Sequence, residues 1–183
     1  MVRVVGLIAL GLLLAGCGSS EKQADARLNC VRLPGGAATP RSSPEIEARE
    51  TMYLTDVDIE ALECTDRVVF SFREAAPGPG YNISYEPAAT AKTEDGSGNF
   101  LEVDGSHFLV VRLTPAMGAE IMGEEVKPTY TGPRRIAPDG TTFVREVVKT
   151  GDFEGYVTWV IGLNEKRVFT ANASDSELVI ELG

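Results

Sequence analysis

The chain has one histidine, His107, and one tryptophan, Trp159. A single imidazole excludes a histidine-rich metal centre, and any zinc site would rest on carboxylates. Three cysteines are present, and no two stand in C-x-x-C spacing, which removes a thioredoxin-like redox pair. No G-x-S-x-G segment marks a nucleophile elbow. Basic residues are scarce: 17 Lys and Arg face 27 Asp and Glu, for a formal net charge of -10. Nucleic acid is excluded as a partner, because phosphate neutralisation needs clustered cations. No apolar run reaches the ~18 residues that span a bilayer. No metal and no cofactor is expected.

What is present starts at the N-terminus. Arg3 precedes the apolar run Val4 to Ala15, whose length suits a signal-peptide core. The run ends in Leu14-Ala15-Gly16-Cys17, a lipobox. Small residues admit a signal peptidase, and the thiol of Cys17 accepts a diacylglyceryl group. The expectation is a signal peptide over residues 1–16. Lipidated Cys17 then becomes the new N-terminus, held by its acyl chains on the outer face of the cytoplasmic membrane. A transmembrane anchor is the alternative, and the run is short for it. Cys30 and Cys64 remain, an even pair that an oxidising compartment turns into a structural disulfide.

Residues 17–49 read as a flexible tether. Gly18-Ser19-Ser20, Gly35-Gly36, Pro34, Pro40 and Pro44 bring little to bury. From residue 50 to 183, alternation dominates. Val57 and Ile59 alternate with Asp56, Asp58 and Glu60, and Val68, Phe70 and Phe72 share one face. Phe108 to Leu113 and Tyr156 to Leu163 are apolar on both faces, as covered central strands are. Asp104-Gly105 suggests a hairpin between Leu101–Val103 and Phe108–Val110. Thr114-Pro115 reads as a helix start, giving one short helix near 115–125. The fold class expected is all-β, an antiparallel β-sandwich of about 7–9 strands.

Chemistry-bearing residues gather late in the chain. Tyr130-Thr131-Gly132-Pro133-Arg134-Arg135 sets an aromatic ring beside two guanidiniums. Thr150-Gly151-Asp152-Phe153-Glu154-Gly155 reads as a glycine-bounded turn. Tyr130, Arg134, Arg135 and Asp152 are therefore the candidate ligand-binding residues, suited to carbohydrate or carboxylate recognition. The plainer alternative has the arginines pairing with surface glutamates. Asp56-x-Asp58-x-Glu60 and Asp95-Gly96-Ser97-Gly98-Asn99 invite a calcium reading, but the first is a solvated sheet face and the second lacks an EF-hand ladder. Trp159 lies in an apolar run and reads as core. No residue set supplies nucleophile, base and orienting group, so no catalytic residues are assigned and no enzyme is expected.

Several segments resemble the AMIN-like domain of actinobacterial secreted proteins and lipoproteins. They are Asp66-Arg67-Val68-Val69-Phe70-Ser71-Phe72, Leu109-Val110-Val111-Arg112-Leu113, Tyr130-Thr131-Gly132-Pro133, Thr150 to Gly155 and Trp159-Val160-Ile161-Gly162-Leu163. The resemblance implies a β-sandwich module that localises its partners in the cell envelope and binds peptidoglycan without catalysis. The expected function is a non-catalytic envelope lipoprotein that binds peptidoglycan or a wall-associated protein. Small-solute binding is the alternative, and a hydrolase a more distant one.

Overall fold

The computed structural model describes residues 33–45, 50–73 and 77–183. The expected signal peptide, Cys17 and Cys30 lie outside the described residues. In chain order the elements are β1 (Arg41–Ser42), β2 (Met52–Ala61), β3 (Asp66–Phe72), β4 (Tyr81–Glu86), the helix α1 (Ala88–Ala91), β5 (His107–Leu113), β6 (Ala116–Met117), β7 (Ala119–Met122), β8 (Glu125–Pro128), β9 (Arg135–Ile136), β10 (Val144–Phe153), β11 (Tyr156–Leu163), β12 (Phe169–Ala173) and β13 (Glu177–Leu182). One sheet runs β1-β4-β5-β11-β10-β9, a second runs β12-β13-β3-β2-β6, and β7 pairs with β8 alone. Every ladder is antiparallel except the short β2–β6 pairing.

The expected sandwich is present. Leu54, Phe70 and Ile180 of the five-stranded sheet share one buried cluster with Ile83, Trp159 and Ile161 of the six-stranded sheet. Burying each such side chain contributes about 1.5–3 kcal/mol, so this cluster dominates stability. Trp159 is core, edge-on to Phe70 at 6.0 Å and to Tyr130 at 5.5 Å. The two doubly apolar runs, β5 and β11, lie at the centre of the six-stranded sheet. The 13 strands exceed the expected 7–9 because five are fragments of two to four residues.

A buried carboxylate ties the sheets together. Asp66 on β3 is fully buried. It accepts hydrogen bonds from the backbone N–H of Thr142 at 2.9 Å, Phe143 at 2.5 Å and Val144 at 2.8 Å. Three donors replace the water that the carboxylate loses on burial. The loop into β10 is thereby held against the opposite sheet.

Three local expectations are corrected. The helix near 115–125 does not form; residues 116–128 run as β6, β7 and β8, with Ile121 opposite Val126. Gly118 and Gly123 each weaken a helix by about 1 kcal/mol, and no helical stripe there finds a surface to bury. The Asp104-Gly105 hairpin is also absent, because Leu101–Val103 is not a strand. That segment instead crosses over β11, where Ser106 N–H bonds the Leu163 carbonyl at 2.7 Å. Finally, residues 33–45 of the expected tether are packed on the sandwich. Leu33 is buried, Ala37 bridges Phe169, and β1 pairs with β4.

Candidate functional site

The site grows from a surface that cannot stay bare. The outer face of the six-stranded sheet carries Phe108, Val110, Val148 and Val160, all buried. Their cover is the segment 87–105, which contributes Ala91 and Val103 to this second small core. Gly162 makes the crossing possible: a Cβ there would collide with the Asp104 carbonyl oxygen. Lys92 lays its ammonium 4.7 Å from the Phe108 ring centroid, completing the lid over that ring.

Two ion pairs fasten the cover's surroundings. Arg112 on β5 forms a two-pronged pair with Glu86 on β4. The hydrogen bond it donates to Glu86 holds the guanidinium pKa above its ordinary value, against the opposing effect of burial. On β10, Glu146 is buried and accepts from Asp104 N–H at 2.9 Å and from Arg135 Nη1 at 2.6 Å. Arg135 Nη2 also donates to the Glu102 carbonyl at 2.6 Å. Arg135 is thus committed to stapling the cover down.

Where the cover meets the end of β10, a cleft of about 310 Å³ opens. Glu94, Asp95, Gly96, Arg134 and residues 149–153 line it. Asp95 N–H bonds the Thr150 carbonyl at 3.0 Å, which seats the loop on the strand. Gly151 allows that approach, since any Cβ would meet the Asp95 side chain. A β-bulge between Lys149 and Gly151 matters here. In a regular strand residues i and i+3 point to opposite faces; one inserted residue puts them on the same side. Lys149 Nζ accordingly reaches Asp152 Oδ2 at 3.2 Å, and Asp152 Oδ1 accepts from Gly118 N–H at 3.2 Å.

Arg134 closes one end of the cleft. Its Nε donates to the Lys149 carbonyl at 2.9 Å, and its Nη2 pairs with Glu94. Glu94 also accepts from Ser97 Oγ at 2.5 Å. The Ser97 hydrogen bond first, then that of Arg134, pulls the Glu94 carboxyl below its ordinary pKa. The half-exposed Arg134 side chain leaves donors facing solvent, and Phe153 is 58% exposed at the rim.

The structure therefore divides the four candidate residues. Arg134 and Asp152 line one cleft. Arg135 is spent on Glu146. Tyr130 is only 7% exposed, its ring set against Trp159 and its hydroxyl donating to the Pro133 carbonyl at 2.7 Å. Burial, and secondly the charge of Asp56, raises its pKa. Such a ring has no free face for a sugar. Glu94, Lys149 and Phe153 escaped the sequence reading, although Phe153 stands inside the Thr150–Gly155 segment that drew attention. The calcium-type loop 95–99 folds back on Glu94, which takes a 3.5 Å contact from Asn99 Nδ2.

Asp56 and Asp58 are exposed on β2, and Glu60 pairs with Arg67 at 3.0 Å. His107 opens β5 with Nδ1 3.1 Å from Ser106 Oγ, and that hydroxyl is 2.5 Å from the Asn164 carbonyl. Cys64, in the β2–β3 turn, is disulfide-bonded.

Comparison with known families gives one match: residues 52–183 fit the AMIN-like domain. The chain belongs to the AMIN-like domain family, whose members are generally extracytoplasmic cell-envelope domains, and it is a cell-envelope, peptidoglycan-related protein. No curated protein and no solved structure matches it.

Proposed function

We propose that this AMIN-like chain is a non-catalytic lipoprotein that binds peptidoglycan in the cleft beside β10. Cys17 carries the lipid, and the outer face of the cytoplasmic membrane is where the anchor sits. The cleft is the observation that supports this reading. It sets Arg134 and Lys149 beside Asp95 and Asp152, with Phe153 at its edge. Stem peptides carry carboxylates for a guanidinium and amines for a carboxylate. Arg134 pairs with Glu94 yet stays half-exposed, and its remaining donors are what a stem-peptide carboxylate can engage. At about 0.15 M salt the Debye length is near 8 Å, so only close contacts act.

The test is sedimentation of the full chain with purified sacculi. Wild type should pellet, and Arg134→Ala with Lys149→Ala should lower retention about tenfold. Failure of wild type to pellet would move the reading to a wall-associated protein partner, found by crosslinking in cells. A second reading, capture of a small solute, draws on the cleft volume, at the low end for enclosing pockets. A thermal shift from one small molecule without sacculus binding would favour it. Three further outcomes are expected. Cys17→Ser abolishes labelling by radioactive fatty acid. Mass spectrometry joins Cys64 to Cys30. The purified chain hydrolyses neither wall polymers nor simple esters, and turnover lost in His107→Ala would reverse that assignment.

A further inference from the structure

We infer that the tip of the β10–β11 hairpin is a pyranose-stacking platform, and that it recognises the glycan strand of the wall polymer. Phe153 and Tyr156 are directly opposed across the ladder. A directly opposed pair sets its Cβ atoms about 4.5–5.5 Å apart on one face of the sheet, so the two side chains leave the ladder side by side. Val157, the next residue along, points into the core, which fixes the rings on the outer face, where the cover lies.

Both rings are open: Phe153 is 58% and Tyr156 49% exposed. Tyr130, Phe108 and Trp159 are buried in the two cores, while Phe100 is as exposed as Phe153 but has Lys92 over its ring at 5.8 Å. The pair is not a loose tip. Glu154 at φ 50° and Gly155 at φ 79° make a two-residue turn of the kind whose twist matches the strands. Ala116 N–H bonds the Gly155 carbonyl at 2.8 Å, which fastens the tip to β6. The platform is therefore preorganised, and little ordering cost opposes binding.

The neighbouring groups select the ligand class. Phe153 is both a ring of the platform and a wall of the cleft. Exposed aromatic side chains beside the Asp95 carboxylate and the Arg134 guanidinium match a pyranose: apolar C–H groups on one face, hydroxyl and amide groups around the rim. Asp95, whose side chain is exposed at the cleft, supplies an acceptor for those donors. An extended peptide would engage the charges but has no need of two exposed aromatic side chains beside them. This inference rests on the wall-binding reading above and names the part of the polymer that the site reads.

The test is titration of the full chain, in detergent, with a β-1,4-linked N-acetylglucosamine tetramer, followed by aromatic NMR. Ring protons of Phe153 and Tyr156 should shift. Phe153→Ala and Tyr156→Ala should each weaken the tetramer about fivefold, as expected for loss of one aromatic contact. Phe153→Leu keeps an apolar surface and should recover only part of the loss. Backbone spectra of these exposed-tip variants verify that they fold. Sacculus binding with no tetramer shift, and stem-peptide shifts at Arg134 instead, would overturn the glycan assignment while leaving wall binding intact. Tetramer binding without sacculus binding would support the platform and overturn the wall reading. No response to either ligand overturns both.

Discussion

The two sheets of this sandwich share a core but treat their outer faces in opposite ways. On the five-stranded sheet, Glu60, Arg67, Glu181 and Thr170 lie in one cross-strand row. Arg67 reaches Glu60 at 3.0 Å and Glu181 at 4.0 Å, and the row meets solvent. On the six-stranded sheet, the corresponding row Ser84, Val110, Val160 and Val148 is mainly apolar and roofed by residues 87–105. Solvated charge keeps one face bare; apolar side chains oblige the other to recruit a cover. The cleft exists because that cover stops short, against the end of β10. The candidate site thus lies at the edge of the cover rather than on the open sheet.

The comparison can be broken most severely at the tie both sheets share. Asp66→Ala should cost about 3–5 kcal/mol in urea denaturation, since three buried N–H groups lose their acceptor. Removing only the cover should cost less and act on one side. Gly162→Ala should destabilise by about 2–3 kcal/mol, by forcing the crossing segment off β11. Hydrogen exchange should then rise at Val148 and Val160 while β3 and β13 keep their protection. A uniform rise across both sheets would deny the cover its separate status.

Matched ion pairs give a finer contrast. Arg112→Ala strands Glu86, which is 15% exposed beside the cover, and should cost about 2 kcal/mol. Arg67→Ala on the bare face should cost under about 1 kcal/mol, because water screens that pair. Equal costs would erase the distinction. The smallest effect concerns pH. Glu94 has its folded pKa depressed below 4.5, so the order it gives loop 94–99 is present above that value and lost as pH falls through the folded pKa. Amide exchange at Glu94 to Asn99 should accelerate in that acid window, and Ser97→Ala should move its onset upward.

Much of this contrast was legible in the sequence. Strict alternation through Val57–Glu60 and Val68–Phe72 announced a half-solvated sheet, and the unbroken runs at 108–113 and 156–163 announced covered strands. The cover itself was not legible. Its buried contributors are Ala91 and Val103, set among Thr, Asp, Gly and Asn, and such composition reads as loop. Tyr130 and the arginines show the limit for site residues. Type and spacing suggested a single binding loop, but a neighbouring Trp159 drew the ring inward and Glu146 claimed one guanidinium. The bulge after Lys149 was equally silent, because a one-residue insertion leaves no periodic trace. It nonetheless decides that Lys149 and Asp152 meet.

The position of β13 sets a timetable. Last in the chain, it lies inside the five-stranded sheet, hydrogen-bonded to β12 on one side and β3 on the other. No earlier strand can stand in for it, so the first half of the chain waits for residues 177–182 before that sheet can close. Long-range pairings of this kind form slowly and late. The β2–β3 and β10–β11 pairings join strands close in sequence, whereas the five-stranded sheet closes only when β13 docks between β12 and β3. The same arrangement that makes the finished domain cohesive keeps the unfinished one pliable.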